Sequence, residues 1–307
     1  MLATLTERRF SSGDWIFERK FDGMRALAVR EGGGAVQLWS RNERRADASF
    51  PELVEALAEL GGPDFAVDGE IVAFDGRQTS FARLQARMHL TGAARIAATG
   101  VDVYYYVFDL LSLGGEDLTR FPLRDRKRLL KRAFDFRDPL RYSAHRNTVG
   151  REYFEDACGR GWEGVIAKRA ASRYRGGRSK DWLKFKCVRD QEFVVGGFTE
   201  PQGSRAGFGA LLVGYHEGRG SLRYAGKVGT GYDERTLRAL RARMDSLERD
   251  SSPFEGRVRE KGAHWIEPEL VVQVGFTEWT PDGMLRHPRY QGERTDKSAE
   301  DVVKETV

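Results

Sequence analysis

Between residues 17 and 187 the chain never sustains one long apolar period. Short β-prone runs at 26–29, 36–39, 65–74, 103–111 and 165–167 alternate with polar turns and a few helical stretches. Strands of this length interleaved with helices predict a mixed α+β unit. Past Cys187 the texture changes. Strand runs at 192–198, 210–215, 222–228 and 270–277, parted by glycine-rich turns and one helical stretch at 233–247, suit a small β-barrel of the OB type. A boundary at 188–191 follows, giving units 1–187 and 188–307, and 307 residues at roughly 150 per domain agree with two. The clearest helix start in the first unit is Ser49, with Glu52 completing a capping box ahead of L-V-E-A-L-A-E-L and Gly61-Gly62-Pro63 as the stop.

A hydrophobic fraction of 40% supplies real cores and excludes wholesale disorder. No stretch reaches the roughly 18 to 20 apolar residues of a bilayer span, and M-L-A-T-L-T-E-R-R lacks a basic head before an apolar block. The expectation is a cytoplasmic protein with no membrane partner. Cys158 and Cys187 stand in no zinc-binding spacing and fit a reducing compartment, with Cys187 a bystander at the domain junction. The five histidines are scattered and read as structural. Lys plus Arg (51) exceeds Asp plus Glu (46) by five, which decides little. Local density says more: residues 168–189 hold nine Lys/Arg against the single acid Asp181, a concentration that favours phosphate.

The sharpest local feature is E-R-K-F-D-G-M-R, which sets Lys20 before Asp22, Gly23 and Arg25 at the entrance to a strand. Alone it reads equally well as a β-turn flanked by solvated cations. In order along the chain follow S-R-N (Ser40 to Asn42), D-G-E-I-V (Asp68 to Val72), Y-V-F-D-L-L (Tyr106 to Leu111), E-G-V-I-A-K (Glu163 to Lys168), W-L-K-F-K (Trp182 to Lys186) and R-T-D-K (Arg294 to Lys297). Lys184 and Lys186 are two apart, so on a strand both ammonium groups share one face and can meet one phosphate, with Phe185 on the other. A solvated basic edge is the competing reading.

This series resembles the covalent nucleotidyltransferase superfamily of DNA ligases, RNA ligases and mRNA capping enzymes, from Phe17 to Lys297. The stretches T-S-F-A-R-L-Q, G-F-G-A-L-L-V-G-Y, Y-A-G-K-V-G-T-G and V-G-F-T-E-W-T-P-D-G-M-L-R-H-P are similar to the ligase module of bacterial end-joining ligases. The resemblance implies an adenylyltransferase domain of antiparallel sheets and flanking helices, followed by an OB-fold barrel. It also implies the chemistry: Lys20 attacks the α-phosphate of ATP, carries AMP covalently, and passes it to the 5′-phosphate of a nick, since sealing in water needs a better leaving group than hydroxide. Nearby cations or burial must first free the lysine lone pair.

Carried over residue by residue, the resemblance puts Glu18 near adenine, Arg25 and Arg41 on ribose or phosphate oxygens, and Phe108 in a stack with the base. Glu70 and Glu163 become the ribose-binding and metal-binding carboxylates for Mg²⁺ or Mn²⁺, and Lys168, Lys184 and Lys186 the phosphate ligands. Arg294, Asp296 and Lys297 would orient the departing pyrophosphate from a barrel that moves about Asp190. The implied partner is nicked double-stranded DNA, gripped by the loops at 173–180 and 202–209, with Ku or other end-joining proteins as recruiters and a monomeric state.

The chain opens close to the first motif, which leads to the expectation of a minimal ligase or one module of a larger protein. Arg19 departs from the apolar residue many ligases carry between the glutamate and the lysine. A GTP-dependent capping enzyme or an RNA ligase shares the lysine chemistry, and a non-catalytic nucleic-acid-binding module shares the fold. Labelling with ATP against GTP, then sealing of DNA against RNA, separates them.

Overall fold

The computed structural model describes residues 1–187, 189–201, 206–217 and 220–305. The chain divides into two compact units, Met1–Cys187 and Val188–Thr306. None of the helices among the described residues is long and apolar enough to cross a membrane.

The first unit is built on two sheets. One has five strands in the order Leu2–Leu5, Arg178–Lys186, Gly164–Arg169, Trp15–Lys20 and His145–Asn147, all antiparallel except the first pair. The other runs Gln37–Ser40, Met24–Arg30, Phe65–Asp75, Val103–Leu113 and Glu116–Asp117, with short strands Gln78–Thr79 and Leu140–Tyr142 attached. Alternation explains the second sheet's burial: in Met24–Arg30, Met24, Ala26 and Ala28 enter a core with Leu38, Phe65, Val67, Ile71, Tyr105 and Leu110. Beneath the five-stranded sheet lies a smaller core of Trp15, Phe17, Val165, Ala167 and Phe185 packed on Ala157.

The chain passes from one sheet to the other through Phe21-Asp22-Gly23, so the E-R-K-F-D-G-M-R motif straddles both. Gly23 is required there because a Cβ would collide with the Ile71 carbonyl oxygen and approach Val72 to 2.8 Å. Asp22 fixes the turn from its other side, where its carboxylate accepts from the Phe81 amide (3.3 Å) and its own amide donates to Thr79 Oγ1 (3.2 Å).

Two expectations for this unit fail. The first long helix is Pro51–Glu59, with Phe50 rather than Ser49 at its N-cap and no side-chain cap; Ser49 is buried in the 3₁₀ turn Asp47–Ser49. Pro51 decides this, because its fixed φ and missing N–H suit the first helical position. Glu52 pairs instead with Arg87. The cysteines are not independent: Cys158, in the helix Gly150–Gly159, is disulfide-bonded to Cys187. Their Cα atoms lie 5.3 Å apart because the Cys187 amide is held by the Glu163 carbonyl (3.0 Å).

The second unit is a curled sheet around one core, an OB-type barrel. The long strand Asp190–Thr199 pairs with Leu211–Glu217 on one edge and, on the other, with Val271–Gly275 along its first half and Ala263–Ile266 at its end. Leu211–Glu217 continues to Ser221–Val228, and Val271–Gly275 to Arg289–Glu293. Register shifts at Val195/Gly197, Val213/Gly214 and Gln273/Val274 bend these strands. The helix Glu234–Asp245 starts at Asp233, whose carboxylate accepts from the Thr236 amide at 2.7 Å, and buries Leu237, Leu240 and Met244.

Candidate active site

Residues from both sheets of the first unit converge on a pocket of about 560 Å³. Glu18, Lys20, Ile166, Lys168 and Trp182 come from the five-stranded sheet, and Arg25, Glu70 and Phe108 from the other. The pairing register decides which side chains enter. Glu18 stands opposite Ile166 and Ile166 opposite Lys184, while Lys20 stands opposite Gly164 and Gly164 opposite Lys186. Directly paired residues share a face, so Lys20 and Lys186 flank Gly164, which offers no side chain between them. The row leaves a gap with an ammonium on either side. Phe185 faces the smaller core, as the two-residue spacing of Lys184 and Lys186 predicts.

Lys20 Nζ is hydrogen-bonded to Glu163 Oε1, from the residue that precedes the strand Gly164–Arg169. Glu18 is only 2% exposed and receives Lys168 Nζ (2.9 Å) and the Ser143 hydroxyl (3.2 Å) on Oε2. Lys127 Nζ lies 2.7 Å from Oε1, within ion-pair reach but without an aligned hydrogen bond. Burial would push the Glu18 carboxyl up, but Lys127 and Lys168 outweigh it and hold it below the ordinary carboxylate range.

Lys168, expected as a phosphate ligand, is placed against Glu18. Its ammonium is buried on Glu18 and sits 4.1 Å from the ring centroids of both Phe108 and Trp182, so it belongs to the wall that carries Glu18. Burial pulls its pKa below the ordinary lysine value even against the attraction of Glu18. Phe108 meets Trp182 edge to face at 5.9 Å, and the Trp182 indole N–H has no acceptor among the described residues. The W-L-K-F-K motif by itself assigns Trp182 no role, and only the register places it in the pocket.

Arg25 lines the pocket, yet its fork is taken: Nε and Nη2 meet Asp68 Oδ1 and Oδ2 at 2.9 and 2.5 Å, and Tyr174 Oη lies 3.1 Å from Nη2. Burial opposes that charge, but Asp68 more than compensates and raises the pKa above the ordinary arginine value. Without nucleotide, the fork of Arg25, expected on ribose or phosphate oxygens, is held in a bidentate grip on Asp68. Arg41 lies in an adjoining pocket of about 1070 Å³ with Trp39, Ser40 and Tyr174 rather than beside Lys20. Arg19, the departure from the ligase pattern, stacks its guanidinium 4.4 Å from Trp162 and 5.2 Å from Phe21, so it braces the residue next to Glu163.

Arg294, Asp296 and Lys297 belong to the second unit. Arg294 grips Asp296 at 2.9 and 2.8 Å, and Lys297 lies 3.2 Å from Glu192. Burial raises the Asp296 pKa and Arg294 lowers it by more, leaving it below the ordinary aspartate value. Of the segment expected as a DNA-gripping loop at 173–180, Arg173 and Arg175 are exposed in the loop and Arg178 and Lys180 are exposed at the start of the strand Arg178–Lys186. Residues 202–205 of the other proposed DNA loop lie outside the described residues.

A family model described as ATP dependent DNA ligase domain matches residues 1–186, and another, ATP dependent DNA ligase C terminal region, matches 204–297. The chain belongs to the ATP-dependent DNA ligase family. It is 38% identical over 99% of its length to the multifunctional non-homologous end joining protein LigD of Pseudomonas aeruginosa, covering 36% of that protein. It is also 38% identical to the LigD repair protein of Mycobacterium tuberculosis, covering 99% of this chain and 39% of that one. The chain thus spans well under half the length of these relatives. Among solved structures, mycobacterial DNA ligase D complexed with ATP and MES superposes with a TM-score of 0.69 at 35% identity, covering 99% of this chain and 97% of that one.

Proposed function

We propose that this ligase seals 5′-phosphate/3′-hydroxyl nicks in double-stranded DNA through a lysyl-AMP on Lys20 and a DNA-adenylate, within bacterial non-homologous end joining. The observation that carries the reading is the placement of Lys20 at one end of a pocket whose other end holds Glu18, Phe108, Lys168 and Trp182. That end has the chemistry of a base site: aromatic faces, a carboxylate with acceptor capacity left, and an unsatisfied indole donor. Glu18 takes the adenine amino group and Phe108 its face. The α-phosphate belongs over Gly164, between Lys20 and Lys186.

In adenylation the Lys20 amine forms a bond to the α-phosphorus while the bond to the bridging oxygen breaks and pyrophosphate leaves. Before attack the ammonium gives up a proton, and Glu163 is the carboxylate in contact with it. Glu70 and Glu163 also fit a divalent ion. Among the described residues no cluster of three or more His, Cys, Asp or Glu could form a full protein cage, and Mg²⁺ characteristically takes one or two carboxylates and completes its shell with water and phosphate. Such an ion would neutralise charge on the transferring phosphate. The stacks and cations of the first unit hold AMP while a 5′-phosphate oxygen attacks its phosphorus and the bond to Lys20 Nζ breaks, the amine leaving with a proton; the 3′-hydroxyl then attacks the 5′-phosphate and displaces AMP from DNA. The end-joining setting is supported by the names of the LigD relatives, which are called non-homologous end joining proteins; recruitment by Ku is part of the proposal.

The test is direct. Purified protein with ATP and a divalent ion should gain the mass of one AMP and seal nicked DNA, and Lys20→Ala should do neither. An unmodified wild type, or sealing that survives Lys20→Ala, overturns the proposal.

A further inference from the structure

Lys127 is a charged residue on the inward stripe of its helix. It lies in the helix Leu123–Ala133 and is 1% exposed, and lysine is almost never buried without a compensating partner. Its ammonium donates to the carbonyls of Phe108 (3.2 Å) and Ser143 (3.0 Å) and faces Glu18 Oε1 at 2.7 Å. One side chain therefore holds the two pocket residues assigned to the base, by the Phe108 backbone and by the Glu18 carboxylate. We infer that Lys127 is a positioning residue that sets the preference of this pocket for adenine over guanine, acting through Glu18. The inference rests on the reading that Glu18 faces the base.

The chemistry is that of donors and acceptors. Adenine carries an amino donor at position 6, and guanine an oxygen acceptor. An ionised carboxylate only accepts, so it favours the first and opposes the second. A protonated carboxyl can donate and loses that distinction. Deep burial favours the protonated form, and the cations that resist it are Lys127 from the helix and Lys168 from the strand Gly164–Arg169. At longer range Glu18 interacts with His145, Tyr142 and Tyr153. Burial holds His145 below the ordinary histidine value and both tyrosines above theirs, so none of the three changes charge between pH 7 and 9. Lys168 contacts the same carboxylate but also forms the aromatic wall. Lys127 is the cation on Glu18 whose ammonium lies over neither ring of that wall.

The experiment measures covalent self-labelling by ATP and by GTP from pH 7 to 9 in wild type, Lys127→Gln, Lys127→Met, Lys127→Arg and Glu18→Gln. The ATP/GTP labelling ratio is internal to each preparation, so partial unfolding removes both labels alike. The two neutral variants should lower the ratio on the order of tenfold, the effect of reversing one buried hydrogen bond, and the ratio should recover as pH rises. Lys127→Arg, which keeps the charge, should hold the wild-type ratio. Neutral variants that melt earlier but keep the wild-type ratio at every pH overturn the inference. Should neither fold, a folded Lys127→Arg that relaxes the ratio overturns it, and one that keeps the ratio supports it. Glu18→Gln separates the two layers: if it leaves the ratio unchanged, the placement of Glu18 at the base is wrong, and the inference falls with it.

Discussion

The pair Asp109–Arg126 lets a stability effect be worked from geometry. Both side chains are fully buried, Nε and Nη2 of Arg126 meet the two Asp109 oxygens at 2.8 Å each, and Nη1 donates to the carbonyls of Phe121 (2.5 Å) and Ser172 (3.1 Å). Asp109→Asn keeps the shape but removes the charge, and its amide nitrogen must face a guanidinium N–H, donor to donor. Stranding a buried cation in this way costs about 3–5 kcal/mol. Native stabilities are about 5–15 kcal/mol, so the loss is a large fraction of the total. At roughly 2–4 °C per kcal/mol for a unit of this size, the melting temperature should fall by about 6–20 °C. Calorimetry on wild type and variant reads it. Asp109→Leu combined with Arg126→Met, which removes both charges, should recover most of the loss. A fall of less than about 3 °C in the single variant, or a double variant no better than the single, would refute the assignment of the cost to an unpaired charge.

Three further outcomes follow from the second unit and the surface. The folded Asp296 pKa is depressed, so its contribution to stability is present above the ordinary aspartate range and is lost as pH falls through the folded value. Asp296→Asn should therefore melt earlier than wild type at pH 7, with the difference shrinking in acid; a pH-independent difference would contradict the sign. Arg294→Ala should cripple self-adenylation while leaving sealing of pre-adenylated nicks comparatively intact, and equal loss in both assays would remove the division of labour. Binding to nicked DNA should weaken steeply with salt, and replacing Arg173, Arg175 and Lys180 by Gln should flatten the log–log slope by about 0.9 for each phosphate that is no longer neutralised.

Much of the site was legible because its chemistry is concentrated in short motifs at fixed spacings. Lys20, Glu18 and Phe108 fall in the pocket the motifs imply, and the two-residue step between Lys184 and Lys186 gave their common face. What could not be read was long-range pairing. Asp68 stands 43 residues from Arg25, and nothing local says that it takes the guanidinium. Cys158 and Cys187 are 29 apart with no spacing signature. Lys127 did leave a signal. Leu123, Arg126, Lys127 and Leu130 stand at i, i+3, i+4 and i+7, the inward stripe of a helix, and all four are buried. Cations in such a stripe read as a solvated face only if each residue is judged by its charge instead of its phase. At Ser49 two local rules competed, and the backbone constraint of Pro51 prevailed over a side-chain cap.

The sulfur bridge from Cys158 to Cys187 closes a covalent ring that contains Glu163, Gly164, Lys168, Lys184 and Lys186. By restricting the unfolded chain, a ring of this size contributes about 3–4 kcal/mol. It also changes what a broken backbone does. A protease that cuts at the exposed glycines 176 and 177 opens the loop but releases no fragment, because both ends stay tethered through sulfur. Glu163, which contacts Lys20, and the lysines of the strand Arg178–Lys186 would remain one connected piece, and the nicked unit could close up again.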